Sequence, residues 1–155
     1  YSREPALKDL AKLKRLFPDA IAATEDDADR TVDVGFKVSG VDPSELKKHL
    51  QNSELLDSGY MLHLLQKGVS KGGTLKIILP RISDGKLSPG QVMVFGDSLT
   101  DISLFRLFPH SVFIRNDRLL PADRAAMEDA AEYVSGLEFG AGFATVARHI
   151  LKMRG

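Results

Sequence analysis

Beyond Lys67 the chain alternates between two periodicities, and few architectures accommodate that alternation. The spacing predicts helices over about 71–79, 99–107 and 121–130 and from about 142 onward, separated by short apolar strands over 91–95, 111–115 and 132–135. Strands interleaved with helices of this length imply parallel strands joined by crossover helices, an α/β domain. Val92-Met93-Val94-Phe95 is an unbroken apolar run, as expected of a central parallel strand covered on both faces. The first 65 or so residues follow a different grammar. Leu7, Leu10, Leu13, Leu16 and Phe17 recur at helical spacing until Pro18. Val32, Val34, Phe36 and Val38 then alternate with Asp33, Gly35 and Lys37, the pattern of a strand with one buried face. Asp42 before Pro43 caps a short helix, and strands over 53–56 and 60–65 flank an Asp57-Ser58-Gly59 turn. This is an α+β unit. The polar, glycine-containing stretch 66–70 divides the chain into residues 1–66 and 67–155.

Composition excludes several classes of function. Lys plus Arg equals Asp plus Glu at 21 each, so no global field draws the chain to nucleic acid or to an anionic membrane. There is no cysteine, hence no disulfide, thiolate metal site or thiol nucleophile, which fits a cytoplasmic protein. No apolar run approaches the roughly 20 residues of a membrane span. The first residue is Tyr1 instead of Met, which suggests a processed or truncated chain. Oligomeric state is left open.

The chemistry concentrates in Gly96-Asp97-Ser98-Leu99-Thr100-Asp101, directly after the apolar run. In open α/β sheets, ligands bind at the carboxyl ends of strands, beside the start of the next helix. Asp97 sits at that edge, and Asp101, four residues on, can converge with it. Converging carboxylates repel unless a cation lies between or beside them, and magnesium suits an oxygen site that keeps several waters. Ser98-x-x-Asp101 also matches a capping box that needs no metal. Both readings stand at this level. Lys71 occupies the first turn of a helix, where the dipole disfavours a cation, and is followed by Gly72 and Gly73. Such a placement suggests an anion nearby. The Gly-Lys-Ser/Thr ending of a P-loop is absent.

The loop is similar to motifs of two families. Gly-Asp-Ser-Leu resembles the first block of serine esterases, which would make Ser98 a nucleophile. The rest of that pattern fails: Asn116-Asp117 lacks the preceding glycine, and the residues three before His110 and His149 are Leu107 and Val146 instead of aspartate. A serine without a base is a weak nucleophile.

The second resemblance extends from about Leu62 to Leu151 and is to phosphatases of the haloacid-dehalogenase superfamily that carry a large α/β cap, the group that includes sucrose-phosphate and mannosyl-phosphoglycerate phosphatases. Val69-Ser70-Lys71-Gly72 matches the segment that follows the cap. Gly96 to Asp101 matches the metal loop, except that Thr100 replaces asparagine. The resemblance implies a partial Rossmann-like core over 67–155 with a small α+β cap over 1–66. It also implies Mg2+ as cofactor and a small phosphorylated metabolite, such as a sugar phosphate, as substrate. In it Lys71, Asp97 and Asp101 are catalytic, Asp97 and Asp101 serve the metal, and Lys71, Ser98, Thr100 and Asn116 contact substrate. His63, which alternates with Leu62 and Leu64 at the end of the first unit, is expected from that position to face substrate beneath a cap. The attacking aspartate of that family lies in an Asp-x-Asp pair at the end of a buried strand. Asp27-Ala28-Asp29 has the spacing but follows Ala22-Ala23-Thr24-Glu25 and reads as a solvated loop, so the nucleophile is expected outside these residues. A binding or regulatory module without a nucleophile is the alternative.

Overall fold

The computed structural model describes residues 1–154, the side chains of Asp26 and Arg154 apart. The chain forms two compact units, Tyr1–Val69 and Ser70–Gly155.

The first unit is a helix-backed antiparallel sheet. Helix α1 (Glu4–Leu16) carries Pro5 in its first turn and Lys14 and Arg15 in its last, both favourable placements. Strand β1 (Ile21–Ala23) and a 3₁₀ turn (Glu25–Asp29) lead to β2 (Asp33–Val38). Helix α2 (Pro43–Lys47), with the Asp42 carboxylate accepting from Ser44 N, leads to the hairpin of β3 (Ser53–Asp57) and β4 (Leu62–Gln66). The strand order is β1-β2-β4-β3, antiparallel throughout, with Val34 opposite Leu64 and Phe36 opposite Leu62. Those four residues pack with Leu55, Leu46 and the α1 residues Ala6, Leu10 and Leu13 into one core. Leu7 and Leu16 are largely exposed, so the buried stripe of α1 is narrower than its apolar spacing predicts.

Two features of this unit depart from the sequence reading. Strand β1 is too short and too alanine-rich to show in the pattern, yet it pairs with the end of β2. The acidic stretch is structural instead of merely solvated: Asp27 pairs with Arg3 at 2.5 Å and accepts from Gly35 N at 3.1 Å.

The second unit is a parallel α/β layer. Helix α3 (Lys71–Ile82) runs past Pro80, three residues beyond the predicted end. Then come β5 (Met93–Gly96), a 3₁₀ turn (Leu99–Asp101) continuing as α4 (Ile102–Leu107), β6 (His110–Arg115), α5 (Pro121–Ala130), β7 (Tyr133–Glu138) and α6 (Phe139–Arg154). The strands are parallel in the order β5-β6-β7. Val94 and Phe113 pack with Leu79, Phe105, Phe108, Leu119 and Met127 on one side of the sheet. On alternate residues Phe95 meets Phe143 of α6 edge-on, at 5.0 Å between centroids.

Among the described residues β6 is the central strand, its residues 111–114 all buried, and β5, whose apolar run suggests an interior place, lies at the edge. Among the described residues β5 has one hydrogen-bonded neighbour, which leaves Met93 37% exposed. Helix α6 also begins three residues before the predicted Gly142. A Cβ at Gly142 would lie 2.1 Å from Leu137 O and 2.8 Å from Ser135 Oγ, so glycine is required for α6 to close onto the end of β7. No described helix is long and apolar enough to cross a membrane.

Candidate active site

The carboxyl end of β5 and the start of α3 meet within the second unit. Ser70 caps α3, its Oγ accepting from Gly73 N at 3.1 Å. Gly72 N donates to Ser103 Oγ at 3.1 Å, and a Cβ at Gly72 would lie 2.1 Å from Ser103 O. The start of α3 therefore touches α4 backbone to backbone. Gly72→Ala should lower stability by about 1–3 kcal/mol, the range for overpacking, because a carbonyl cannot rotate aside as a side chain can. Thermal denaturation reads this directly.

That contact sets Lys71 beside the loop after β5. Its ammonium donates to Asp101 Oδ1 at 2.5 Å and to Thr100 Oγ1 at 3.0 Å, with the lysine side chain more than half exposed. The anion that offsets a lysine at a helix start is thus Asp101. Asp101 is only 5% exposed and its other oxygen is also occupied: Oδ2 accepts from Asp97 N at 3.1 Å, Ser98 N at 3.2 Å and Ser98 Oγ at 3.3 Å. Gly96 makes room for this, since a Cβ there would lie 2.2 Å from the Asp101 Cβ. Both carboxylate oxygens are bonded within the protein, so in this structure Asp101 organises the loop and holds Lys71.

Asp97 is the contrasting acid. It is half-buried, and among the described residues no other side chain bonds its carboxylate. Burial, and then the nearby charge of Asp101, push its pKa up, while Lys71 opposes them. A half-buried carboxylate that resists ionisation is what a cation would relieve, so Asp97 fits a divalent metal. The described residues contain no cluster of three or more His, Cys, Asp or Glu able to hold a metal alone.

The remaining expected residues are placed as follows. Ser98 is 6% exposed and its Oγ pairs with Thr100 Oγ1 at 2.8 Å, and among the described residues no histidine bonds it. This disposes of the serine-esterase reading. Thr100, in the place of asparagine, anchors Lys71. Asn116 is 5% exposed, with Nδ2 donating to Asp97 O at 3.0 Å and Oδ1 accepting from Arg118 N at 3.1 Å, so its amide is bonded within the protein. His63 belongs to the first unit, between Asp33 Oδ2 at 2.7 Å from Nδ1 and Ser58 Oγ at 3.2 Å from Nε2. Arg30 pairs with the same Asp33 oxygen at 2.7 Å. Ser103 was not legible in the sequence, because nothing in a helical serine announces the glycine it faces.

Comparisons with known proteins bear on the family and the fold. A profile of haloacid dehalogenase-like hydrolases matches residues 10–128. The phosphoglycolate phosphatase of Methanoculleus marisnigri is 32% identical over 118 residues, 74% of this chain and 46% of that protein, so the chain spans about half the length of this relative. A Thermoplasma acidophilum protein of solved structure aligns with a TM-score of 0.73 at 19% identity, over 96% of this chain and 62% of that one. The sucrose-phosphatase of Synechocystis, solved with sucrose and phosphate, aligns with a TM-score of 0.69 at 17% identity, over 94% and 63%. The structural likenesses show a shared fold, and the sequence match extends over more than half of the residues. The chain belongs to the haloacid dehalogenase-like hydrolase family.

Proposed function

We propose that this chain supplies the metal-binding loop and the phosphate-neutralising lysine of a magnesium-dependent phosphomonoesterase acting on a small phosphorylated metabolite, phosphoglycolate or a sugar phosphate. One observation carries the reading: an exposed Lys71 ammonium, fixed by buried Asp101, and the unpartnered Asp97 carboxylate belong to the same short loop system. Asp97 would hold Mg2+. When bound, the ion supplies charge neutralisation to the phosphoryl oxygens during transfer. Lys71 supplies a second positive charge, preorganised by two hydrogen bonds so that no reorganisation is needed as charge shifts. Asp101 fixes that ammonium and the amides of residues 97 and 98.

The attacking aspartate, in this reading, comes from polypeptide outside these residues, forming an aspartyl phosphate that water hydrolyses. Three observations support that. The chain spans 46% of the phosphoglycolate phosphatase it matches. The carboxylate of Asp27 is engaged with Arg3 and Gly35. Strand β5, apolar enough for a sheet interior, has a single neighbour. The α+β unit is assigned the part of the cap that selects substrate.

The test is phosphate release from phosphoglycolate and a panel of sugar phosphates by the polypeptide extended to the length of its relatives. Magnesium-dependent release from at least one is expected, falling about 10²–10³-fold in Lys71→Ala, as when one preorganised donor is removed. Release indifferent to that substitution would overturn the assignment.

A further inference from the structure

The Asp97 backbone is held at both ends by groups from different elements. Its N–H donates to Asp101 Oδ2 at 3.1 Å, and its carbonyl accepts from Asn116 Nδ2 at 3.0 Å, across from the end of β6. Asn116 is itself fixed. Its Oδ1 accepts from Arg118 N at 3.1 Å and its backbone carbonyl from Leu119 N at 3.2 Å, with Leu119 in the core. Because Oδ1 faces an N–H, the amide nitrogen must face the Asp97 carbonyl, so the orientation of the amide is determined by its neighbours. The amide side chain offers a donor and an acceptor in one plane. The arrangement leaves the carboxylate as the one polar group of Asp97 not committed to another residue.

We propose that Asn116 is a positioning residue for the cation at Asp97, acting through the Asp97 carbonyl. This rests on the metal reading above and adds to it the group that aims the ligand. A pinned carbonyl restricts the Asp97 backbone, and so the direction from which its carboxylate approaches the ion. Groups that orient a metal ligand without touching the metal have effects of about 10–100-fold on affinity.

The test uses Mn2+ as the probe, titrated into the polypeptide extended to the length of its relatives while free Mn2+ is followed by electron paramagnetic resonance. Asn116→Ala, which admits water, and Asn116→Leu, which keeps the volume, remove both amide bonds. Ser111→Ala is the control for stability: Ser111 is buried on β6, the strand that Asn116 follows, its Oγ accepting from Glu132 N at 3.0 Å, and among the described residues it has no bond to Asp97. The expected result is Mn2+ binding weakened about tenfold or more in the Asn116 variants, with Ser111→Ala within about twofold of wild type. The Mg2+ concentration for half-maximal activity should rise in parallel. If the leucine variant fails to fold, the alanine variant carries the comparison. Unchanged Mn2+ affinity in Asn116→Ala, or equal weakening in Ser111→Ala, would overturn the positioning role while leaving the metal at Asp97. A wild-type protein that takes up no Mn2+ would overturn the metal reading itself, and this inference with it.

Discussion

Asp97→Asn should abolish magnesium-dependent phosphate release, by about 10³-fold, and at the same time raise the melting temperature of the metal-free protein. The two effects have one cause. Burial and the charge of Asp101 raise the Asp97 pKa above its ordinary value, so the folded state binds this proton more tightly than the unfolded chain does. A group of that kind costs no stability below its unfolded pKa. The cost grows as pH rises from the unfolded pKa through the raised folded one and is complete above it. Asparagine removes the charge and the cost, but also the ligand. Melts in chelator should therefore show the variant above wild type at pH 7, with the gap closing in acid below the ordinary carboxylate range. Added Mg2+ should raise the wild-type midpoint and leave the variant unmoved. A variant that melts lower at neutral pH, or still responds to Mg2+, would contradict the account.

Asp9→Ala should unfold or nearly unfold the first unit. Asp9 is 2% exposed on α1, and its carboxylate accepts from Gln51 N, Asn52 N, Asn52 Nδ2, Ser53 N and Ser53 Oγ, at 2.7 to 3.2 Å. It ties the helix to the start of β3. Burial is the largest influence on its pKa and pushes it up, but the bonds from Ser53 and Asn52 together outweigh it, and the carboxyl titrates below its ordinary value. Alanine would leave the two Ser53 donors buried without an acceptor and lose the part-buried bonds from Gln51 and Asn52, a loss of about 3–5 kcal/mol. That is a large fraction of the stability of a small domain. The sign with pH is opposite to that of Asp97: the stabilisation is present above the unfolded pKa and is lost as pH falls through the depressed folded one. Hydrogen exchange of the β2 and β4 amides would report the loss. Protection equal to wild type would show that the cluster is dispensable.

How much of this was legible before the structure depends on the kind of signal. Periodicity located the helices and all the longer strands, because burial imposes period 2 on β2 and near-continuous apolar runs on β5 and β6. It could not rank β5 against β6, since strand order is a tertiary property and both runs look interior. Strand β1 left no trace in three residues. Asp9 did leave one: it lies on the stripe of Ala6, Leu10 and Leu13, and a charge on a buried stripe must find partners. In the site, the four-residue spacing of Asp97 and Asp101 and the odd placement of Lys71 were readable. The division of labour was not, because capping and metal binding ask for the same letters. In the structure Asp101 is buried and bonded within the loop while Asp97 is half-buried, which supports the proposed division.

That separation is tested most directly by one comparison: magnesium-dependent phosphate release by the polypeptide extended to the length of its relatives, in wild type, Asp97→Asn and Ser98→Ala. The metal loop described here predicts that wild type and Ser98→Ala both turn over, within about tenfold of each other, and that Asp97→Asn does not. Turnover retained by Asp97→Asn and lost in Ser98→Ala would contradict it.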